Sequence, residues 1–326
     1  MNSIEVLVPD PSAVSLARRE AAALAARLGM DEVGAGQVAL VASELASNLV
    51  KHGGGGRLLL SASGSGVDLL ALDTGKGMPD VAACMADGYS TAGTAGNGLG
   101  AARRLSSRFE IASWPGRGSA VQAHVGPDDA ADDTTAAVMV TKPGEVACGD
   151  GWALHEGAAQ RTLMMVDGLG HGTEAAVAAR EALALFAKWG GEPPAELVQR
   201  LHLGLRHTRG GAVAVARVQW ASHTIAFAGL GNIAAAVVAP DGSARRMVSH
   251  NGTAGHNARK IQAFDYPFGP QSLLVMHTDG MGGHWSLQGY PGLARAHPAL
   301  VAGVLYRDQA RGRDDTTVVV TRLEQP

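Results

Sequence analysis

Glu44-Leu-Ala-Ser-Asn48-Leu-Val-Lys-His52-Gly53-Gly54-Gly55-Gly56 decides how the first half of the chain folds. Glu44, Asn48 and His52 stand at i, i+4 and i+8, so in the helix expected from about Val33 to Lys51 they share one face. That face runs out into four glycines, and a polar stripe on a helix rich in Val, Ala and Leu calls for a ligand. Upstream, Ile4 to Val8 reads as a strand, Ser12 as the N-cap of a helix through Leu28, and Gly29 as the glycine that ends it. Downstream, Arg57 to Ser63 and Val67 to Asp73 are strands flanking Gly64-Ser65-Gly66, and Phe109 to Trp114 pairs with Ser119 to Val125 across Pro115-Gly116. Two more glycine clusters lie between them. Asp73-Thr74-Gly75-Lys76-Gly77 closes the apolar run Leu69 to Leu72, and Gly96-Asn97-Gly98-Leu99-Gly100 opens a helix expected to carry Arg103 and Arg104 in its first turns. A glycine-rich turn feeding a helix N-terminus offers free N–H groups to phosphates.

In this order the clusters resemble the asparagine box and the two glycine boxes of the GHKL ATPases, over about residues 1 to 125. Gly96 to Ile111, followed by Gly116-Arg117-Gly118-Ser119, is similar in particular to the RsbT and SpoIIAB serine kinases. The resemblance implies a Bergerat α/β sandwich that binds ATP with Mg²⁺. It makes Glu44 the general base toward an attacking hydroxyl, Asn48 the Mg²⁺ ligand and Asp73 the reader of the adenine amino group. Gly75 and Gly77 would allow close approach of the base, and Gly96, Gly98 and Gly100 would form a lid over the phosphates. The first histidine of the chain is His52, inside the asparagine box, so no phospho-accepting histidine precedes the ATP site.

With 326 residues, two domains are expected. The boundary falls at residues 126–135, GPDDAADDTT, acidic and poor in apolar residues, and leaves a second domain at 136–326. There Ala136 to Thr141, Arg161 to Val166, Ala212 to Trp220, His223 to Ala228, Ile233 to Val238, Leu273 to His277 and Thr316 to Thr321 have strand character. Helices at Gly172 to Lys188 and Pro194 to His207 interrupt them, which predicts an antiparallel two-sheet core flanked by helices. Four aspartates stand at strand ends or glycine turns: Cys148-Gly149-Asp150-Gly151, Val166-Asp167-Gly168-Leu169-Gly170-His171-Gly172, His277-Thr278-Asp279-Gly280 and Arg313-Asp314-Asp315-Thr316. A single Asp-Gly is an ordinary turn. Four that converge carry a charge that divalent cations relieve.

This pattern resembles the PPM-type metal-dependent serine/threonine phosphatases of the SpoIIE and RsbX branch, over about residues 136 to 324, and implies an α-β-β-α sandwich. The resemblance makes Asp167 the carboxylate bridging two Mn²⁺ or Mg²⁺ and the Gly168 carbonyl a ligand of the first ion. Asp279 and Asp314 would hold the second, and Asp150 the first, directly or through water. Two such ions activate water and clamp phosphoryl oxygens without a covalent enzyme intermediate, so Cys148 reads as a small buried residue. Asp315 reads as a support behind the ligands or as exposed. His171 either contacts substrate phosphate or caps the helix at Gly172, and Asn251 to Pro270 reads as a substrate-facing loop.

Net charge −3 lacks the basic excess of a nucleic-acid binder. Two distant cysteines form no disulfide framework or zinc spacing, and no run reaches the roughly 20 apolar residues of a membrane span. A cytoplasmic enzyme without nucleic-acid or membrane partners is expected. The two resemblances imply a partner-switching enzyme that adds and removes phosphate on a STAS-domain anti-anti-sigma or stressosome protein, with a sigma-factor regulator as a further partner. The rival is a nucleotide-dependent anti-sigma or docking module whose only reaction is the phosphatase, which an intact Glu44 disfavours.

Overall fold

The computed structural model describes residues 2–85, 98–127 and 133–325. They form two compact units, Met1–Asp133 with Ala299–Arg307, and Thr134–Pro298 with Asp308–Pro326.

The first unit contains β1 (Ile4–Val8), α1 (Ala13–Arg27), α2 (Glu32–Gly53), β2 (Gly56–Ser63), β3 (Gly66–Leu72), the single turn α3 (Val81–Cys84), α4 (Gly98–Leu105), β4 (Arg108–Trp114) and β5 (Gly118–Val125). Its strands form one antiparallel sheet in the order β1-β2-β3-β5-β4. Alternate residues Leu58, Leu60, Leu69 and Ala71 meet Val38, Val41, Leu45 and Leu49 of α2 in one core. The intervening Leu59, Leu70 and Leu72 are also buried, on the opposite face. There a Cβ added to Gly303 would come within 2.6 Å of Leu70 and 2.9 Å of Leu72, so the segment Ala299–Arg307 covers that face closely.

Local signals explain most ends of these elements. Asp31 caps α2 by accepting the Gly34 N–H at 2.7 Å, and Gly29 takes the left-handed backbone (φ +75°) that ends the first helical region. Ser12 does not cap α1 with its side chain. Its N–H and O–H both donate to Asp10 Oδ1, at 2.8 and 2.6 Å, so Asp10 shapes the entry. Because α4 is only eight residues long and begins at Gly98, Arg103 and Arg104 lie in its last turn, where cations suit the helix dipole, rather than in its first. Among the described residues α2 alone is long and apolar enough to cross a membrane by length and composition, and its apolar side is packed in the core.

The second unit contains β6 (Thr135–Val140), β7 (Asp150–Gly157), β8 (Gln160–Gly168), α5 (Thr173–Trp189), α6 (Pro194–Gly204), β9 (Gly211–Gln219), β10 (Thr224–Leu230), β11 (Ala234–Val238), β12 (Ala244–Arg246), β13 (Gly252–Thr253), β14 (Asn257–Ala258), β15 (Phe264–Pro267), β16 (Leu273–His277) and β17 (Thr316–Arg322). A further helix, α7 (Pro298–Gln309), includes the segment Ala299–Arg307 that groups with the first unit. Two five-stranded sheets, β15-β10-β9-β8-β7 and β12-β11-β16-β17-β6, face each other. Period-two alternation divides β8: Leu163 and Met165 enter the core between the sheets, while Met164 and Val166 face Phe186, Leu197 and Leu201 of α5 and α6. The stretch Asn251 to Pro270 is no open loop, since it holds the β13–β14 pair and the edge strand β15, whose Tyr266 packs edge-on against Phe227.

Candidate functional site

The first unit holds a pocket lined by Asn48, His52, Asp73, Gly77, Met78, Leu99 and Ser119 among others. Helical spacing sets Glu44, Asn48 and His52 along α2, as the stripe in the sequence required. Asn48 Nδ2 is buried with no hydrogen-bond partner among the described residues. An unpaired buried amide is costly, and its position in a pocket wall fits a site built for a polar ligand. Burial, helped by Lys76 and Lys51, pulls the His52 imidazole below its ordinary value and favours the neutral ring. Asp73 sits just past the end of β3, where its Oδ1 accepts the Gly75 N–H at 2.8 Å and the Ser119 N–H at 3.3 Å. Both bonds use one oxygen, which leaves Oδ2 to meet an amino group. Burial raises the Asp73 carboxyl, against the opposing pull of those two amides.

The glycines here are required chiefly by the protein's own backbone. A Cβ on Gly75 would lie 2.8 Å from the Gly53 backbone, and one on Gly77 (φ +69°) 2.2 Å from the Trp114 carbonyl oxygen. A Cβ on Gly98 would lie 2.5 Å from Glu44 Oε2, so the start of α4 presses on the carboxylate of the expected general base. Gly100 is buried within α4, and Gly96 lies outside the described residues.

In the second unit, Asp150 and Asp167 are register partners on β7 and β8. Asp279 follows β16 by two residues and Asp314 precedes β17 by two. Burial pushes the Asp167 carboxyl up to about 9, with Asp150, Asp279, Asp314 and Asp315 each adding to the effect, so all share one electrostatic neighbourhood. Burial likewise pushes Asp150 up to about 7, against the Thr278 O–H that donates to its Oδ2 at 2.8 Å. Asp279 is raised by burial and then by Asp314, partly offset by Arg311 and by the Asn232 amide, which donates to Asp279 Oδ2 at 2.7 Å. No three His, Cys, Asp or Glu side chains among the described residues close into a ready-made ligand cage. The aspartates raise one another's carboxyls at an electrostatic cost, and that cost is the kind a hard divalent cation relieves, so the chemistry of the donor set fits one.

The supports of this set were largely invisible in the sequence. Asp315 is buried, accepting the Lys142 and Gly149 N–H groups at 2.8 and 2.7 Å, and so holds the turn that carries Asp150. Asn232 and Thr278 act on Asp279 and Asp150 from neighbouring strand ends, and only Thr278, adjacent to Asp279, had a visible signal. His171 does not cap α5. The cap residue is Gly172 with no side-chain bond, and His171 Nδ1 instead meets Glu145 Oε1 at 2.6 Å. A Cβ on Gly168 would lie 2.4 Å from the Ala175 carbonyl oxygen, so the residue after Asp167 has to be glycine for α5 to approach. Cys148 is buried, and burial pushes its thiol far up, consistent with an inert packing role.

The model of the histidine kinase-like ATPase domain matches residues 7–124, and that of Stage II sporulation protein E (SpoIIE) matches residues 158–324. The class is therefore that of a kinase-like ATPase domain joined to a PP2C-type serine/threonine phosphatase domain. The chain belongs to the SpoIIE family. It is 34% identical over 104 residues to the serine/threonine-protein kinase RsbT of Bacillus subtilis (strain 168), which spans 31% of this chain and 78% of that protein. It is 19% identical over 147 residues to the phosphoserine phosphatase RsbX of the same organism, which spans 45% of this chain and 74% of that one. A structure from work on the bacterial stressosome as a modular system adapted to control secondary messenger signalling superposes with TM-score 0.53 at 26% identity, covering 58% of this chain and 98% of that one. RsbX in complex with magnesium superposes with TM-score 0.51 at 18% identity over 58% of this chain and 94% of that one, a likeness of fold. ATP and divalent metal are in general the ligands of these two domain classes.

Proposed function

We propose that this chain is a bifunctional partner-switching enzyme, which phosphorylates a serine or threonine of a STAS-domain protein with its first domain (1–125) and removes that phosphate with its second (136–326). The observation that carries the proposal is that one chain holds both residue sets: Asn48 and Asp73 lining the pocket with Glu44 one turn before Asn48 on α2, and the aspartates that share one charge neighbourhood. In the first domain Asn48 would hold Mg²⁺ and Asp73 the adenine amino group, while Glu44 takes the proton from the attacking hydroxyl. Gly75 and Gly77 would allow close approach of the base, and Gly96, Gly98 and Gly100 would serve as a lid over the phosphates. In the second, Asp150, Asp167, Asp279, Asp314 and the Gly168 carbonyl would hold two Mn²⁺ or Mg²⁺. When bound, the ions supply water activation and charge neutralisation at phosphorus. Asn232, Thr278 and Asp315 keep the carboxylates aimed, and His171, held by Glu145, would donate to substrate phosphate. The STAS partner would be an anti-anti-sigma or stressosome protein, in the cytoplasm, with a sigma-factor regulator downstream.

The test is label transfer from γ-labelled ATP to a STAS protein, followed by release of that label on adding Mn²⁺ or Mg²⁺. Transfer lost in Glu44→Gln and release lost in Asp167→Asn is the expected pair of results. Release without any transfer would favour a nucleotide-dependent docking module with the phosphatase as the only reaction.

A further inference from the structure

The first unit includes nine residues from far down the chain, Ala299–Arg307. Arg307 Nη1 donates to the main-chain oxygen of Asp73 at 2.7 Å. That carbonyl is already confined, because a Cβ on Gly118 would lie 2.0 Å from it. Asp73 is thus held at both ends: its side chain by the Gly75 and Ser119 amides, its main chain by a guanidinium. The segment has anchors of its own besides Arg307. Tyr306 O–H donates to Glu5 Oε1 at 2.8 Å, Arg57 Nη1 donates to the same oxygen at 2.7 Å, and the Arg57 guanidinium lies 5.8 Å from the Tyr306 ring centre. Gly303 lets the helix close on Leu70 and Leu72.

We propose that Arg307 is a positioning residue of the nucleotide site, fixing the main chain at Asp73 so that its carboxylate meets the base, and that the nucleotide-binding unit is complete only with Ala299–Arg307. This rests on the reading of Asp73 as the base-contacting carboxylate. The physical argument is one of fixed geometry. A strand-end carbonyl held by a charged donor keeps the following carboxylate in one place, and without that donor the loop must be ordered at the moment of binding. Because Tyr306, Arg57 and Gly303 hold the segment independently, removing the guanidinium leaves the segment seated.

The experiment uses the full chain and a non-hydrolysable ATP analogue with Mg²⁺, titrated calorimetrically beside the corresponding guanine analogue, with a thermal melt of every variant. Arg307→Ala is expected to weaken the adenine analogue about tenfold, to narrow the preference for adenine over guanine, and to melt as the parent does. Arg307→Lys is expected to recover most of both. Should Arg307→Ala melt early, Arg307→Gln, which keeps length and polarity, carries the same comparison. Parental affinity and base preference in a folded Arg307→Ala or Arg307→Gln chain overturns the proposal. Asp73→Asn separates the two levels: if it abolishes adenine preference while the Arg307 variants do not, only the positioning role is lost. If it too binds as the parent does, the reading of Asp73 falls and the proposal with it.

Discussion

The nucleotide site and the metal site are crowded in opposite ways. Around the first, the constraint is steric: Gly53, Gly75, Gly77, Gly98 and Gly118 each stand where a Cβ would collide with a neighbour. Around the second, it is electrostatic: Asp150, buried, and Asp167, half-buried, lie among like charges and are held far above the ordinary carboxylate range. A site shaped by backbone packing is the same with or without its ligand, whereas a site shaped by repelling charges is stabilised by the ligand itself. The two halves should therefore respond differently to the loss of a single functional group.

Asp167→Asn is the sharpest test of that contrast. It should cost roughly 10²–10³-fold in hydrolysis of a phosphoserine substrate and yet raise the melting temperature of the metal-free protein near neutral pH, since it removes a carboxyl that has to take up a proton to fold. A drop in both would mean that Asp167 is structural. Glu44→Gln should lower phosphoryl transfer by roughly 10²-fold or more with nucleotide affinity kept, whereas Asn48→Ala should lose Mg²⁺-nucleotide affinity as well. Calorimetry beside a transfer assay separates them, and equal loss of affinity in both would erase the division of labour along α2. Asn232→Ala removes the amide on Asp279 and should weaken metal affinity by about 10- to 100-fold, read from the metal dependence of the phosphatase rate. An unchanged metal curve would leave that hydrogen bond without a role at the site.

The smallest expected effect is on pH dependence, and its sign follows from the raised carboxyls. Folded, Asp150 and Asp167 keep their protons to about 7 and about 9, while the unfolded chain releases them near 3.8. Between those limits the native state binds more protons, so metal-free stability is greatest at the acid end and is lost as pH climbs through the folded values. Bound cations displace those protons, so Mn²⁺ or Mg²⁺ should raise the melting temperature more at about pH 8.5 than at about pH 6. Equal shifts at both would mean that the carboxylates carry no excess protons without metal.

Strands β2, β3, β8 and β16 were legible as short apolar runs bounded by turn or polar residues, since both of their faces are packed. Besides the short α3 and β12 to β15, two longer elements escaped. β7 joins Trp152 and Leu154 to the polar His155 and Glu156 in a weak pattern. In α7, Leu300, Val301, Ala302, Val304, Leu305 and Tyr306 are all buried, and a helix apolar nearly all round has no period to read. Ser12 keeps the cap position of α1 without capping it by its side chain, because Asp10 takes its hydroxyl, which only the local backbone conformation decides.

The chemistry-bearing residues could be named from sequence because they lie in short local patterns, a helical stripe of Glu44 and Asn48 and aspartates beside glycine turns, whose geometry is set within a few residues. Of the supports only Asp315, beside Asp314, was open to that reading, and not the residues it holds. Asn232 lies 47 residues from Asp279, Asp315 lies 166 from Gly149, and Arg307 lies 234 from Asp73. No propensity or period connects residues so far apart. Only the packing of strands and helices, driven by apolar faces that say nothing of these polar groups, brings each support to the residue it holds.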